Sequence, residues 1–155
     1  MEKINLDNGS YSFVEIPAFV KVGNYSSIAE GVHFHTGHDN HLCIKNRKCV
    51  YTTNWEQHED KDGTHIGSDV WIGREAKIMY GVHIGDGAII GAYTVVSKDV
   101  PPFAVVVGNP QQVVRFRFTA KQMAKLLKIK WWNREGMQEH WRDMQDISKF
   151  LREYE

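Results

Sequence analysis

The chain has 155 residues, enough for one domain and a small appendage, and 42% of them are apolar, enough for a core. Nineteen basic residues balance nineteen acidic ones, which excludes bulk attraction to nucleic acid or to a membrane surface. No apolar run is long enough to span a bilayer, and the opening Met1–Ser10 lacks the apolar stretch of a secretory signal, so a soluble, cytoplasmic protein is expected.

The first elements form a comb of period six. Val22, Ile28 and Phe34 are its teeth, with Val20, Ser26 and Val32 two places before each, and Val14 and Ile16 fit one tooth earlier. The pattern then breaks from Thr36 to Gly63, which is read as an excursion loop. It returns in Ile66, Ile72, Ile78, Ile84, Ile90 and Val96, preceded by Thr64, Val70, Ala76, Val82, Ala88 and Thr94. Neither a helix nor a lone strand repeats every six residues, so the chain is read as a stacked solenoid. Each tooth points inward on a short flat face, and three hexads complete a triangular turn of eighteen residues. His65 and His83, eighteen apart, should stack on adjacent turns.

The comb runs to about Val100, where Pro101-Pro102 removes amide donors and ends the regular coil; Gly108-Asn-Pro110 makes the following turn. Thr119 and Gln122 read as a capping box opening a helix with Met123, Leu126, Leu127 and Lys130 at helical spacing. Trp131-Trp-Asn133 reads as a break. A second amphipathic helix is expected through Met137, Trp141, Met144, Ile147 or Phe150, and Leu151. These helices are expected to cap the coil end and cover an open sheet edge. The domain reading is a coil over residues 1–118 and a helical tail over 119–155.

Four stretches carry a resemblance. They are Ile66-Gly-Ser-Asp-Val-Trp71-Ile-Gly73, Val82-His-Ile-Gly-Asp-Gly-Ala-Ile-Ile-Gly-Ala92, Val95-Val-Ser-Lys98-Asp-Val-Pro-Pro102 and Val107-Gly-Asn-Pro110. In this order they resemble the hexapeptide-repeat acyltransferases over about residues 14 to 116. The tail sequence Leu126-Leu-Lys-Ile-Lys-Trp131-Trp-Asn resembles the xenobiotic and streptogramin branch, which includes sugar O-acetyltransferases. The resemblance implies an all-β, left-handed parallel β-helix, an exception to the right-handed crossover rule. It also implies a homotrimer, with acetyl-CoA in the groove between subunits.

Acetyl transfer needs a base, donors for the developing oxyanion and a groove that holds both reactants. Histidine suits the base because it titrates near neutrality. The family's histidine opens the excursion, where this chain has His33, His35, His38 and His41. Thr36-Gly37-His38 matches the galactoside and maltose type. Asn40-His41 matches the streptogramin type and aligns without a gap when counted from Val32. His41 is favoured as the base and His38 is the alternative. Asp39 would orient the base or line the acceptor pocket; Glu56, Glu59, Asp60 and Asp62 read as solvated loop.

By the same resemblance Asn24 stands in the acceptor region; otherwise it turns a corner of the coil. Trp71 follows an inward residue and points outward, as a wall of the donor and acceptor groove or as trimer packing. For the donor, the family uses mainly backbone. Gly73 and Arg74 match a pantetheine contact, although Arg74 departs from the usual small residue, and Gly91-Ala92 matches the small pair beside pantetheine. Ser97-Lys98 matches the pair near the phosphates, and Arg115 matches a basic residue near the adenosine 3′-phosphate. Gln112 replaces an arginine common there. The run Lys121, Lys125, Lys128 and Lys130 would add long-range attraction to a polyanionic donor or simply form a solvated helix face.

The acceptor is expected to be a sugar hydroxyl, with an amino-sugar amine or an antibiotic hydroxyl as alternatives. A remote alternative is the zinc carbonic anhydrase built on the same coil, with His65, His83 and either His33 or His35 as ligands. The cluster His38, His41, Cys43 and Cys49 has no standard metal-site spacing, and the two cysteines make no disulfide framework. No metal is expected.

Overall fold

The computed structural model describes residues 2–35, 43–45, 48–50, 63–140 and 143–154. The strands in chain order are β1 (Ile4–Asn5), β2 (Tyr11–Ser12), β3 (Val20–Val22), β4 (Ser27–Ile28), β5 (His33–Phe34), β6 (Cys43–Lys45), β7 (Lys48–Val50) and β8 (Thr64–Ile66). They continue as β9 (Trp71–Ile72), β10 (Lys77–Ile78), β11 (His83–Ile84), β12 (Ile89–Ile90), β13 (Val95–Val96), β14 (Ala104–Val107) and β15 (Gln112–Phe116). Two helices follow, α1 (Ala120–Ile129) and α2 (Ile147–Tyr154).

The hexads stack in parallel into three sheets, one on each side of a triangular coil. The largest runs β1-β2-β4-β9-β12-β14-β15, the second β13-β10-β5 and the third β11-β8-β3. The register is the comb itself. Ile66 pairs with Ile84, Ile72 with Ile90 and Ile78 with Val96, each eighteen residues apart. Ile28 pairs with Ile72 and Phe34 with Ile78, 44 residues apart, so 26 extra residues lie in the intervening turn. Within them the described residues hold the antiparallel hairpin β6–β7.

Every tooth from Ile28 to Val96 is buried, and so is every residue two places before it. Inward residues from three faces meet on the axis, so each coil buries a layer that the next coil covers. The earliest tooth behaves differently. Ile16 is half-buried without a strand, and Ser12 instead faces Ile28 across β2 and β4. The last turn is also shorter: Val100 bridges Ile84 and Val106 pairs with Ile90, each after sixteen residues.

The corners demand unusual backbone. Tyr25, Asp69, Gly87 and Phe103 stack on one corner with φ of 58°, 56°, 69° and 58°, and three of the four carry a Cβ in this left-handed region. Where glycine follows a tooth, at Gly23, Gly67, Gly73, Gly85 and Gly91, the coils approach closely. A Cβ on Gly73 would lie 2.6 Å from the Ala92 nitrogen, so no side chain fits there.

The expected capping box is present. The Thr119 hydroxyl accepts from the Gln122 amide and the Gln122 side chain accepts from the Thr119 amide. Lys130 ends α1 with φ 43°, and Trp131–Asn133 follows as a 3₁₀ turn. The second helix is shorter than its apolar spacing suggests. Met137–His140 and Asp143–Gln145 are 3₁₀ turns, and α-helix begins only at Ile147. Asp146 accepts from the Ser148 and Lys149 amides, and this cap starts the helix there.

The tail does not close the coil end. The outer strands of the large sheet, β1 and β15, both pair antiparallel with their neighbours and terminate it. The tail lies along the corner instead. Tyr25 and Phe103 project there, with Asp69 and Gly87 between them, and Phe103 packs with Leu126, Trp132 and Phe150 in a second core. Truncating Ile78, fully buried between Phe34 and Val96, to alanine should cost about 3–4 kcal/mol in a denaturant titration. A loss below about 1 kcal/mol would mean that the stack does not carry the fold.

Candidate active site

Alternation on the large sheet sends one residue of each strand outward. Ser27, Trp71, Ile89, Val105 and Arg115 occupy matched positions on β4, β9, β12, β14 and β15. They form an outward ladder, polar at its ends and apolar between. Trp71 stands 55% exposed on it. Val107, two places after Val105 on the same face, is also exposed, whereas Phe116 and Val113 pair with inward-facing Ala104 and Val106 and are exposed on the opposite side of the hairpin.

Beyond the teeth of this sheet lies a corner where three small residues flank the exposed Arg74. Gly73 and Arg74 stack on Gly91 and Ala92, with the Gly73 amide donating to the Ile90 carbonyl. Arg74 reaches back to Glu30 at 3.8 Å, with both side chains exposed, so the pair adds little to stability.

Ser97 and Lys98 follow β13 in the shortened turn. Both amides donate to Gln111 Oε1, at 2.6 and 2.9 Å, and Gln111 Nε2 donates to the Lys98 carbonyl at 3.1 Å. The structure thus brings Trp71 and Arg115 onto one face, Gly73, Arg74, Gly91 and Ala92 onto one corner, and Ser97 and Lys98 onto a braced turn.

Asn24 lies on the corner that carries the tail. Its Nδ2 donates to the Trp132 carbonyl at 3.0 Å and to Asn133 Oδ1 at 3.3 Å. His38, Asp39 and His41 lie outside the described residues. His65 and His83 stack as expected, with ring centres 4.7 Å apart. His33 sits in the β13-β10-β5 sheet, on a different face from the His65–His83 pair. Among the described residues no three His, Cys, Asp or Glu side chains are grouped as metal ligands.

One pair was not singled out by sequence. Arg117 donates to Asp69 Oδ2 at 2.9 Å and to the Gly87 carbonyl at 2.7 Å, joining the tail to the middle of its corner. The alternation Arg115-Phe-Arg117-Phe was the available signal, but nothing local connects it to Asp69. Burial raises the Asp69 carboxyl above its ordinary value, and Arg117 opposes that shift. A cavity of about 180 Å³ remains between this pair and Trp131, Met144, Ile147 and Phe150.

The family described as "Bacterial transferase hexapeptide (six repeats)" matches residues 63–98. A probable macrolide acetyltransferase from Lysinibacillus sphaericus is 37% identical over 140 residues, covering 84% of this chain and 78% of its own length. The chain belongs to the hexapeptide-repeat acetyltransferases. A chloramphenicol acetyltransferase from Klebsiella aerogenes is 35% identical over 122 residues, covering 72% of this chain and 58% of that protein. Another, from Agrobacterium fabrum, is 55% identical over 69 residues, covering 44% of this chain and 33% of its own length. The chain therefore spans a third to under two thirds of these two chloramphenicol acetyltransferases. Among solved structures, a maltose O-acetyltransferase from Clostridium difficile 630 is similar at TM-score 0.48 and 32% identity, covering 64% of this chain and 49% of that one.

The Asp69–Arg117 pair gives a signed test. A raised pKa means that the folded state holds the Asp69 proton more readily than the unfolded chain. Its cost is therefore present at higher pH and relieved as pH falls toward the ordinary value of 3.8. Relative to Asp69→Asn, the wild type should gain stability between about pH 6 and about pH 4 in paired urea titrations. A relative loss on acidification would show that the ion pair, not burial, governs this group.

Proposed function

We propose that this chain moves an acetyl group from acetyl-CoA to a hydroxyl of a sugar, carried by a polysaccharide or a nucleotide, and that it works in the cytoplasm. The observation that carries the acetyl-transfer part of this reading is the 37% identity, over most of both chains, with a protein named as an acetyltransferase; the sugar acceptor rests on the resemblance of the tail. In this reading residues 1–118 form a left-handed coil with an excursion over about 36–63, and residues 119–155 form its tail. Three copies assemble, with the donor lying between neighbours.

The corner at Gly73, Arg74, Gly91 and Ala92 suits the pantetheine arm. Gly73 is buried against the next coil, and the small, more exposed Gly91 and Ala92 leave room for an extended ligand beside it. Trp71 offers an exposed ring beside that strip. Ser97, Lys98 and Arg115 supply polar and cationic groups for the phosphates at the far end.

His41, with His38 as the alternative, is the base, and Asp39 orients it. The imidazole takes the acceptor hydroxyl proton as that oxygen attacks the thioester carbonyl. The carbon–sulfur bond then breaks, and the CoA sulfur leaves and receives the proton. No covalent enzyme intermediate is needed. Trp71 and Asn24 line the acceptor pocket. The Asn24 amide nitrogen is committed to Trp132, which leaves Oδ1 as its contact for an acceptor hydroxyl.

A second reading makes the acceptor an antibiotic hydroxyl. The relatives named for chloramphenicol and macrolide acetylation favour it.

Alanine replacement of His41 and of His38 tests the chemistry. The base variant should lose about 10²–10⁴-fold in turnover, followed as thiol release, while acetyl-CoA binding by calorimetry persists. Two variants near wild-type activity would refute a histidine base in this loop. Maltose and chloramphenicol, assayed side by side as acceptors, separate the two readings.

A further inference from the structure

Along each sheet, the amide that follows a tooth donates to the coil stacked on it. Gly67, Gly73 and Met79 donate to the carbonyls of the stacked teeth Ile84, Ile90 and Val96, and Gly85 and Gly91 to those of Val100 and Val106 in the shorter last turn; Met79 reaches Val96 at 2.9 Å. Ser97 is the next residue in the Met79 column. Among the described residues no further strand is stacked on β13, where the sheet order ends. Gln111 Oε1 takes the place of the missing carbonyl, at 2.6 Å from the Ser97 nitrogen, and also accepts from Lys98.

The turn is anchored on its other side by Asp99, whose Oδ1 accepts from the His83 amide at 2.9 Å. Exposed Lys98 thus sits between two anchors. The Gly108 turn is tied to the same coil end, through Val95 to the Gly108 carbonyl and Gly108 to Thr94 Oγ1. Gln111 therefore joins the turn carrying Lys98 to the hairpin carrying Arg115.

We infer that Gln111 is a positioning residue for the phosphate end of the donor, holding the Ser97–Lys98 turn in register with Arg115. This rests on the acetyl-CoA reading above. Gln111 need not touch the ligand. A loosened turn lets Lys98 sample other positions, and a phosphate must then order it on binding.

Gln111→Ala and the near-isosteric Gln111→Met, which keeps length but loses the hydrogen bonds, test this by calorimetry. Two probes are used: acetyl-CoA, and adenosine 3′,5′-bisphosphate, which carries phosphates but no pantetheine. Both variants should raise both Kd values by about five- to tenfold, the scale of one or two hydrogen bonds, with an unchanged melting temperature. Unchanged Kd values, or a loss for acetyl-CoA alone, would overturn the inference. Tighter binding would also overturn it, because the glutamine oxygen would then be competing for the two amides. A wild-type protein that binds neither probe would remove the acetyl-CoA reading as well, whereas binding unaffected by the variants would remove only the role of Gln111.

Discussion

The structure depends on coils that stack tooth over tooth with no freedom of register. Ile66 lies over Ile84, Ile72 over Ile90 and Ile78 over Val96 because each face is only two or three residues wide and each tooth fills its own layer. A slip of one residue would turn every isoleucine to solvent. The other features are consequences. Corners must turn sharply, so Tyr25, Asp69 and Phe103 accept left-handed backbone despite their side chains. Adjacent coils approach too closely for a Cβ at Gly73. The outermost coils leave unpaired backbone groups, which β1, β15 and the Gln111 side chain each satisfy in part.

A stacked coil is uniform along its length, and a binding site needs a departure from uniformity. The chain makes its departures at the corners and ends. On one corner Tyr25 and Phe103 anchor the tail, and the Arg117 guanidinium reaches between them to Asp69 and Gly87. On another, small Gly73, Gly91 and Ala92 stack beside the exposed Arg74. On the large sheet face, Trp71 and Arg115 bracket an apolar ladder. The rigid repeat holds these features at strand spacing, about 4.8 Å per step.

This division suits an enzyme whose donor is long and whose chemistry is local. Backbone along a corner can grip an extended arm with little dependence on side-chain identity. The proton transfer needs one well-placed imidazole, which the proposed reading takes from the stretch between β5 and β8. Family membership accordingly follows from the coil, whereas the acceptor depends on the groups around it.

Much of the fold was legible in the residues alone. The period of six named the buried teeth, the residues two before them and the His65–His83 stack, and the Thr119–Gln122 spacing named the capping box, because each depends on spacing along the chain. The outward direction of Trp71 was legible for the same reason. The short last turn, the closure of the large sheet by β1 and β15, the late start of α2 at Asp146 and the placing of the tail along a corner were not. Nor were the Arg117–Asp69 pair, the Asn24–Trp132 bond and the Gln111 brace. Asp69 and Arg117 are 48 positions apart, and Asn24 and Trp132 are 108 apart. Sequence determined which residues face inward, since a local repeat sets that direction. Tertiary structure alone decided which corner received the tail and which side chains closed the coil ends, since those contacts arise only once the stack exists.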